Sequence, residues 1–171
     1  LKQLAEGLPK AYWCSTEIEI VTVPPVTIAY TARRTSADHA EISAALAASY
    51  SEVGRFLSRN GLQLAGAPIC ITQSHSPQEY MFEAGIPVDK SPERPVPAGS
   101  AVQIGRTYEG RVVRAVHMGP YGRIPETFEK IHAFAAAHGL EEGERPWEEY
   151  VSDPGNTPEA ELITRVYMPV K

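Results

Sequence analysis

The hydrophobic pattern changes period along the chain, and the changes mark out its elements. Glu17 to Val23 and Val26 to Ala32 are β-rich segments, split by Pro24-Pro25, a pair that no central ladder would accept. Ile42, Leu46, Tyr50, Val53 and Leu57 then recur at helical spacing. Asp38 is placed to cap that helix with Glu41 three residues on, and Gly61 to end it in a left-handed conformation. Ala67 to Gln73 and Tyr80 to Pro87 predict a hairpin. The second half repeats the series: strands Val102 to Tyr108 and Arg111 to Met118, a helix from Ile124 to His138, a stop at Gly139, and strands Trp147 to Val151 and Leu162 to Met168. Pro125 suits the first turn of this helix, where its missing N–H would be unpaired anyway.

The two series match at a shift of 78 residues: Phe56 falls on Phe134, Gly61 on Gly139, Leu62 on Leu140 and Pro68 on Pro146. Leu46 with Ile124, Tyr50 with Phe128 and Val53 with Ile131 are conservative matches. Near the end of each half the shift becomes 82, placing Pro87-Val88 on Pro169-Val170, with the extra residues around Asp153-Pro154-Gly155-Asn156. The expected fold class is therefore α+β: a tandem pseudo-two-fold duplication of a strand–helix–strand–strand unit, with antiparallel sheets, helices on one face and a central groove. The expected organisation is an N-terminal extension over 1–15 and one domain over 16–171. Its halves are 16–88 and 101–171, and the proline-rich stretch 89–100 links them. Grooves at such junctions are favoured small-molecule sites.

Composition narrows the function classes. At 171 residues the chain is sized for one domain that needs neither disulfides nor a metal. Its 16 basic and 21 acidic residues give a net charge of −5. The split after Lys90 is even-handed, with 7 basic and 9 acidic residues before it and 9 and 12 after it, so nucleic-acid binding by this chain alone is disfavoured. No run of 18 apolar residues occurs, which argues against a membrane span. The two cysteines, Cys14 and Cys70, imply neither a disulfide framework nor a zinc site. The N-terminus lacks the layout of a signal peptide, and a cytoplasmic location is expected. His39, His75, His132 and His138 show no metal-ligand spacing, so no metal and no cofactor are expected. Hydrolase elbows, phosphate loops and dinucleotide fingerprints are missing from the sequence.

The run Arg145-Pro-Trp-Glu-Glu-Tyr-Val-Ser-Asp-Pro154, followed by Thr164-Arg-Val-Tyr-Met-Pro-Val170, resembles the C-terminal signature of GyrI-like small-molecule-binding domains. These domains also serve as effector-binding modules of AraC-type and MerR-type regulators. His117-Met-Gly-Pro-Tyr121 is similar to the family's turn into its second helix, and Gly66-Ala-Pro68 and Gly85-Ile-Pro-Val88 match first-half elements. The resemblance covers about Glu17 to Lys171. It implies a groove for lipophilic, often cationic molecules, with aromatic walls and a glutamate at the bottom. That glutamate stands two residues before the tyrosine, at Glu148 here. Arg165 stands where the family often has an acidic residue, and Cys70 and Thr72 occupy a strand that is often more aromatic.

Alternation puts Glu148 and Tyr150 on one face of their strand and Trp147, Glu149 and Val151 on the other. The repeat places Cys70 and Thr72 on the Glu148 face and Ile69 and Ile71 opposite. Two large apolar residues belong against a helix, which assigns the Glu148 face to the groove. A desolvated carboxylate beside aromatic rings attracts a cation; the structural alternative is an ion pair with Arg145 or Arg165. Glu149 is expected near an edge, where it reaches water. Tyr150, Tyr167 and Tyr121 are candidate groove walls, His117 a candidate donor to ligand, and Cys70 a small apolar lining residue. Trp147 is assigned to the core.

The leading expectation is a binding or sensing domain for a lipophilic small molecule, cationic or neutral. Leu1 in place of Met is compatible with a fragment that lacks an N-terminal DNA-binding domain. The alternative is a hydrolase of strained cyclopropane-containing electrophiles, an activity the family resemblance brings in. There Glu148 would activate water, Tyr150 or Tyr121 would position or protonate the substrate, and Glu83 would be a second carboxylate. A protein inhibitor of a larger enzyme ranks last, since no acidic tail is present.

Overall fold

The computed structural model describes residues 18–171. The 1–15 extension, Cys14 and the strand start at Glu17 lie outside the described residues. Strands β1 (Ile18–Val23) and β2 (Thr27–Thr35) flank Pro24-Pro25; helix α1 (His39–Arg59) and the hairpin β3 (Ile69–His75) and β4 (Tyr80–Pro87) follow. The second half contributes β5 (Gln103–Arg106), β6 (Gly110–Met118), α2 (Ile124–Ala137), β7 (Trp147–Tyr150) and β8 (Ile163–Pro169). One eight-stranded antiparallel sheet results, in the order β1-β6-β8-β7-β3-β4-β2-β5. The fold is α+β and antiparallel, and the strands of the two halves join through the direct β3–β7 pairing into one continuous sheet.

Local chemistry sets the helix ends. The Asp38 side chain accepts from the Glu41 N–H at 3.0 Å, which satisfies one of the donors a helix start leaves open. The Glu41 carboxylate does not return to the Asp38 N–H; it bonds Ser36 instead. Gly61 and Gly139 adopt φ of 62° and 64°, and the Leu62 and Leu140 N–H groups reach back to the carbonyls of Leu57 and Ala135. Both ends are Schellman stops, where a side chain would be strained.

The strand order reads alike from either end about the β3–β7 pair. Thr72 N–H donates to the Pro146 carbonyl and Tyr150 N–H to the Pro68 carbonyl, each at 2.9 Å. These are partners at the 78-residue shift, and between them Cys70 lies opposite Glu148. The first strands are exchanged between halves. β1 pairs with β6 and β5 with β2; Ile18 packs into the core of the second half, and Val102 and Ile104 into that of the first.

Both helices lie on one sheet face. Val53 and Leu57 of α1 pack on Ala29 and Ile86; Ile131 and Ala135 of α2 pack on Val113, Val166 and Met168. The opposite face gathers Ile28, Ile69, Ile71, Val112, Trp147 and Tyr167 with Val21, Val23 and Tyr30. β1 and β2 stand far apart in strand order yet share this cluster, so the sheet curls around it. Here an expectation is corrected: Ile69 and Ile71 do not face a helix. Sheet curvature buries them instead, and it is the Cys70–Glu148 face that looks toward the helices.

Candidate functional site

Between α1 and α2, above β3 and β7, lies a cavity of about 980 Å³. That is ample for a drug-sized molecule. Ile42, Leu46 and Tyr50 wall it from α1; Ile124, Phe128 and His132 wall it from α2. Cys70, Thr72, Glu148 and Tyr150 line it from β3 and β7. The residues at the cavity from α1 precede Val53, and those from α2 precede Ala135. Ile42, Leu46 and Tyr50 also pack on the sheet at Cys70, Tyr80, Phe82 and Ala84, and Ile124 also belongs to the second-half core.

Glu148 is half-buried, and the surface it retains belongs to the cavity lining. Tyr150 donates its hydroxyl to Glu148 Oε2 at 2.7 Å. Burial raises the carboxyl above the ordinary glutamate range, and the Tyr150 hydrogen bond opposes that shift without cancelling it. The ion pairs that could have neutralised Glu148 are made elsewhere. Arg145 pairs with Glu83, and Arg165 pairs with Glu149 at 2.9 Å. Glu149 is therefore partly exposed and salt-bridged on the other face. Three carboxylates line the cavity, Glu129, Glu148 and Asp153, and no lysine or arginine does so among the described residues.

Aromatic rings surround the carboxylate. Tyr150 meets Tyr121 edge to face at 5.3 Å and Tyr50 at 6.4 Å. Tyr50 is itself fixed by donating to the Ile69 carbonyl at 2.7 Å. Burial, then the charges of nearby groups that include Glu148, raises the Tyr50 and Tyr150 hydroxyls well above the usual phenol value, so both stay neutral donors. Tyr80 stacks on Phe82 at 4.9 Å and closes the first-half side. Cys70 is fully buried, and desolvation pushes its thiol up to about 12. It is an inert lining group rather than a nucleophile.

The structure brings Glu148, Tyr150, Tyr121 and Cys70 together at this cavity. It does not bring Tyr167, His117 or Glu83 there. Tyr167 is on the opposite face, stacked on Trp147 at 4.7 Å with rings 6° apart. Its strand runs beside β7 in register with Trp147 rather than Glu148, and alternation then turns it away. His117 is buried, with Nδ1 2.8 Å from Thr127 Oγ1 and Nε2 3.0 Å from the Pro120 carbonyl oxygen. It ties β6 to the α2 entry. Glu83 pairs across the sheet with Ile71, on the side away from Glu148, and accepts from Gln73 and Arg145. Tyr50, Tyr80 and Phe128 were missed as cavity residues. The signal for two of them was present, since the repeat aligns Tyr50 with Phe128.

A curled antiparallel sheet with two helices on one face and a cavity between them, acidic at its floor and aromatic at its walls, defines a class of small-molecule-binding domain. The chain belongs to that class by sequence as well: residues 16–171 match the GyrI-like small molecule binding domain, and it is a member of that family. Its fold is shared with the EcmrR C-terminal domain, at a TM-score of 0.77 with 15% identity over 91% of this chain and 97% of that one. The chain spans 57% of EcmrR as that protein appears in a complex with DNA. A hydrolase from Listeria innocua aligns at a TM-score of 0.62, with 17% identity over 98% of both chains. SAV2435 bound to tetraphenylphosphonium aligns at 0.58, with 12% identity over 91% of this chain and 94% of that one. No curated protein sequence matches the chain.

Proposed function

We propose that this domain binds a lipophilic cation in the cavity between α1 and α2, as the effector-binding module of a regulator or as a standalone binder. One observation carries the reading: Glu148 is a desolvated carboxylate with a tyrosine donor but no basic partner among the described residues, at the floor of a large apolar cavity. A buried charge without a counter-ion is costly. A cation supplied by the ligand relieves that cost, and the faces of the surrounding rings add to the attraction. Relatives of the same fold accord with it, since SAV2435 is seen with a phosphonium cation and EcmrR with DNA.

The test compares 10-methylacridinium with uncharged acridine at pH 8 by titration calorimetry. The cation should bind more tightly by about 1–3 kcal/mol, from Coulomb attraction to Glu148 and to the faces of the surrounding rings. Equal affinities would contradict the proposal.

A hydrolase reading draws on the 2.7 Å contact between Tyr150 and Glu148, the spacing a general base and its positioning donor need. Glu83 drops out of that reading because it lies on the opposite face. Product formation from a cyclopropane-containing electrophile, abolished by Glu148→Gln, would establish it; an unchanged substrate after long incubation would exclude it.

A further inference from the structure

The cavity is unlike on its two sides. Its three carboxylates, Glu129, Glu148 and Asp153, all come from the second half of the chain. The first half contributes instead a small set of hydroxyl and thiol groups at the corresponding place. Tyr80 Oη lies 2.9 Å from Thr72 Oγ1 and 3.5 Å from Cys70 Sγ. All three residues line the cavity, and Cys70 is directly opposite Glu148 in the β3–β7 pairing.

The hydrogens in this cluster can be counted. Tyr80, Thr72 and Cys70 each carry one donor hydrogen. Two contacts join them, and each contact uses one. When the Cys70 thiol donates to Tyr80 and Tyr80 to Thr72, the Thr72 hydrogen is left for an acceptor outside the cluster; in the opposite direction the thiol hydrogen is left, and Tyr150, which also contacts Cys70, takes it. Thr72 is only half-buried, and the surface it keeps is part of the cavity lining. Desolvation holds the Tyr80 phenol far above its usual range, so that hydroxyl stays a neutral donor; His39 and His75 also line the cavity from this half, with the His75 ring 5.6 Å from Tyr80.

We infer that the cavity has a second, neutral subsite at Tyr80–Thr72, and that its ligand is a cation carrying a hydrogen-bond acceptor, such as a carbonyl or ether oxygen, on an apolar arm. The inference rests on the proposed cation site at Glu148 and specifies the ligand class for it. Thr72 pairs opposite the residue two before Glu148, and such diagonal neighbours have Cα atoms about 7–8 Å apart. The acceptor therefore belongs about one aromatic ring away from the charge. A symmetric dication would place its second charge against donors and find no carboxylate there among the described residues.

The experiment compares tetraphenylphosphonium with the derivative bearing one para-acetyl group, by calorimetry, and reads the ratio of the two affinities. For the unmodified protein the acetyl compound should bind about 2–10-fold tighter, the worth of one neutral hydrogen bond. The ratio should fall to about one in Thr72→Val, and persist both in Thr72→Ser, which keeps the hydroxyl, and in Tyr80→Phe, which leaves the Thr72 hydroxyl free to donate. A ratio of one in the unmodified protein, or a ratio that survives Thr72→Val, would overturn the subsite while leaving the cation site standing. If tetraphenylphosphonium binds and is lost in Glu148→Gln whatever the ratio, the cation reading holds by itself. If neither phosphonium binds, both readings fall together.

Discussion

At the scale of the residue, Glu148 is where fold and function pull against each other. Its neutral form is favoured by burial, so the native state holds its proton to a higher pH than the unfolded chain does. Stability must then fall as pH rises from the ordinary glutamate range through the raised value, because the native state binds more protons across that interval. Above it the penalty is constant. Glu148→Gln should therefore melt higher than the parent at pH 7, by about 2–4 °C for each kcal/mol relieved. The gain should vanish near pH 3–4, where both states carry the proton (about the unperturbed value). Scanning calorimetry across pH checks this, and a destabilised variant at pH 7 would contradict the burial argument.

Tyr150 acts on the same group with the opposite sign. Its hydroxyl favours the charged carboxylate, so Tyr150→Phe should push the Glu148 carboxyl higher still. Cation affinity should then begin to fall at a higher pH than in the parent on acidification. A pH-affinity curve that does not move would mean the hydrogen bond has no bearing on the charge.

The Glu148 face was legible from strand alternation, but for a mistaken reason. Ile69 and Ile71 read as helix-facing because a helix is the usual cover for large apolar side chains. Here sheet curvature covers them, with Trp147 and Tyr167 beside them, and curvature leaves no periodicity in a sequence. Tyr167 was misplaced by the same gap. Its side follows from the pairing register of β7 with β8, which no single strand encodes.

At the scale of the element, the apolar stripes of α1 and α2 were found from spacing, yet spacing could not divide them. Ile42, Leu46 and Tyr50 continue the line of Val53 and Leu57 without a break, but the first three, packed on Cys70, Tyr80 and Phe82, also reach the cavity, and the last two serve the core alone. Both duties call for apolar residues at the same interval. The stop signals were more informative, since a left-handed C′ position has few solutions besides glycine. An ideal Cβ placed on Gly139 meets nothing within 4 Å, so Gly139→Ala tests conformation alone. It should cost about 1–2 kcal/mol, the penalty for a side chain in the left-handed region, with no change in ligand affinity. Urea denaturation measures it. A loss below a few tenths would mean the end of α2 relaxes without its Schellman bonds.

At the scale of the whole molecule, the sheet is held together by exchange. β1 completes the second half and β5 completes the first, each adding apolar residues to the other's core. Neither half retains its own edge strand and core when separated. Residues 16–88 expressed alone should show no cooperative melting transition, while the full chain should unfold in one step by both circular dichroism and fluorescence. Two separated transitions in the full chain would show that the halves are energetically independent.

Whether the charge on Glu148 recognises a cation in this cavity is tested by pH-resolved calorimetry with tetraphenylphosphonium on the parent, Glu148→Gln and Glu149→Gln. Glu148→Gln should lose about 1–3 kcal/mol at pH 8, the Coulomb attraction of two unit charges several ångströms apart in a partly desolvated site, and Glu149→Gln should change little, since its carboxylate is paired with Arg165 on the other face. Parent affinity should converge on that of Glu148→Gln as acidification protonates the carboxyl. Equal losses in the two variants, or a parent whose affinity ignores pH, would contradict recognition by that charge.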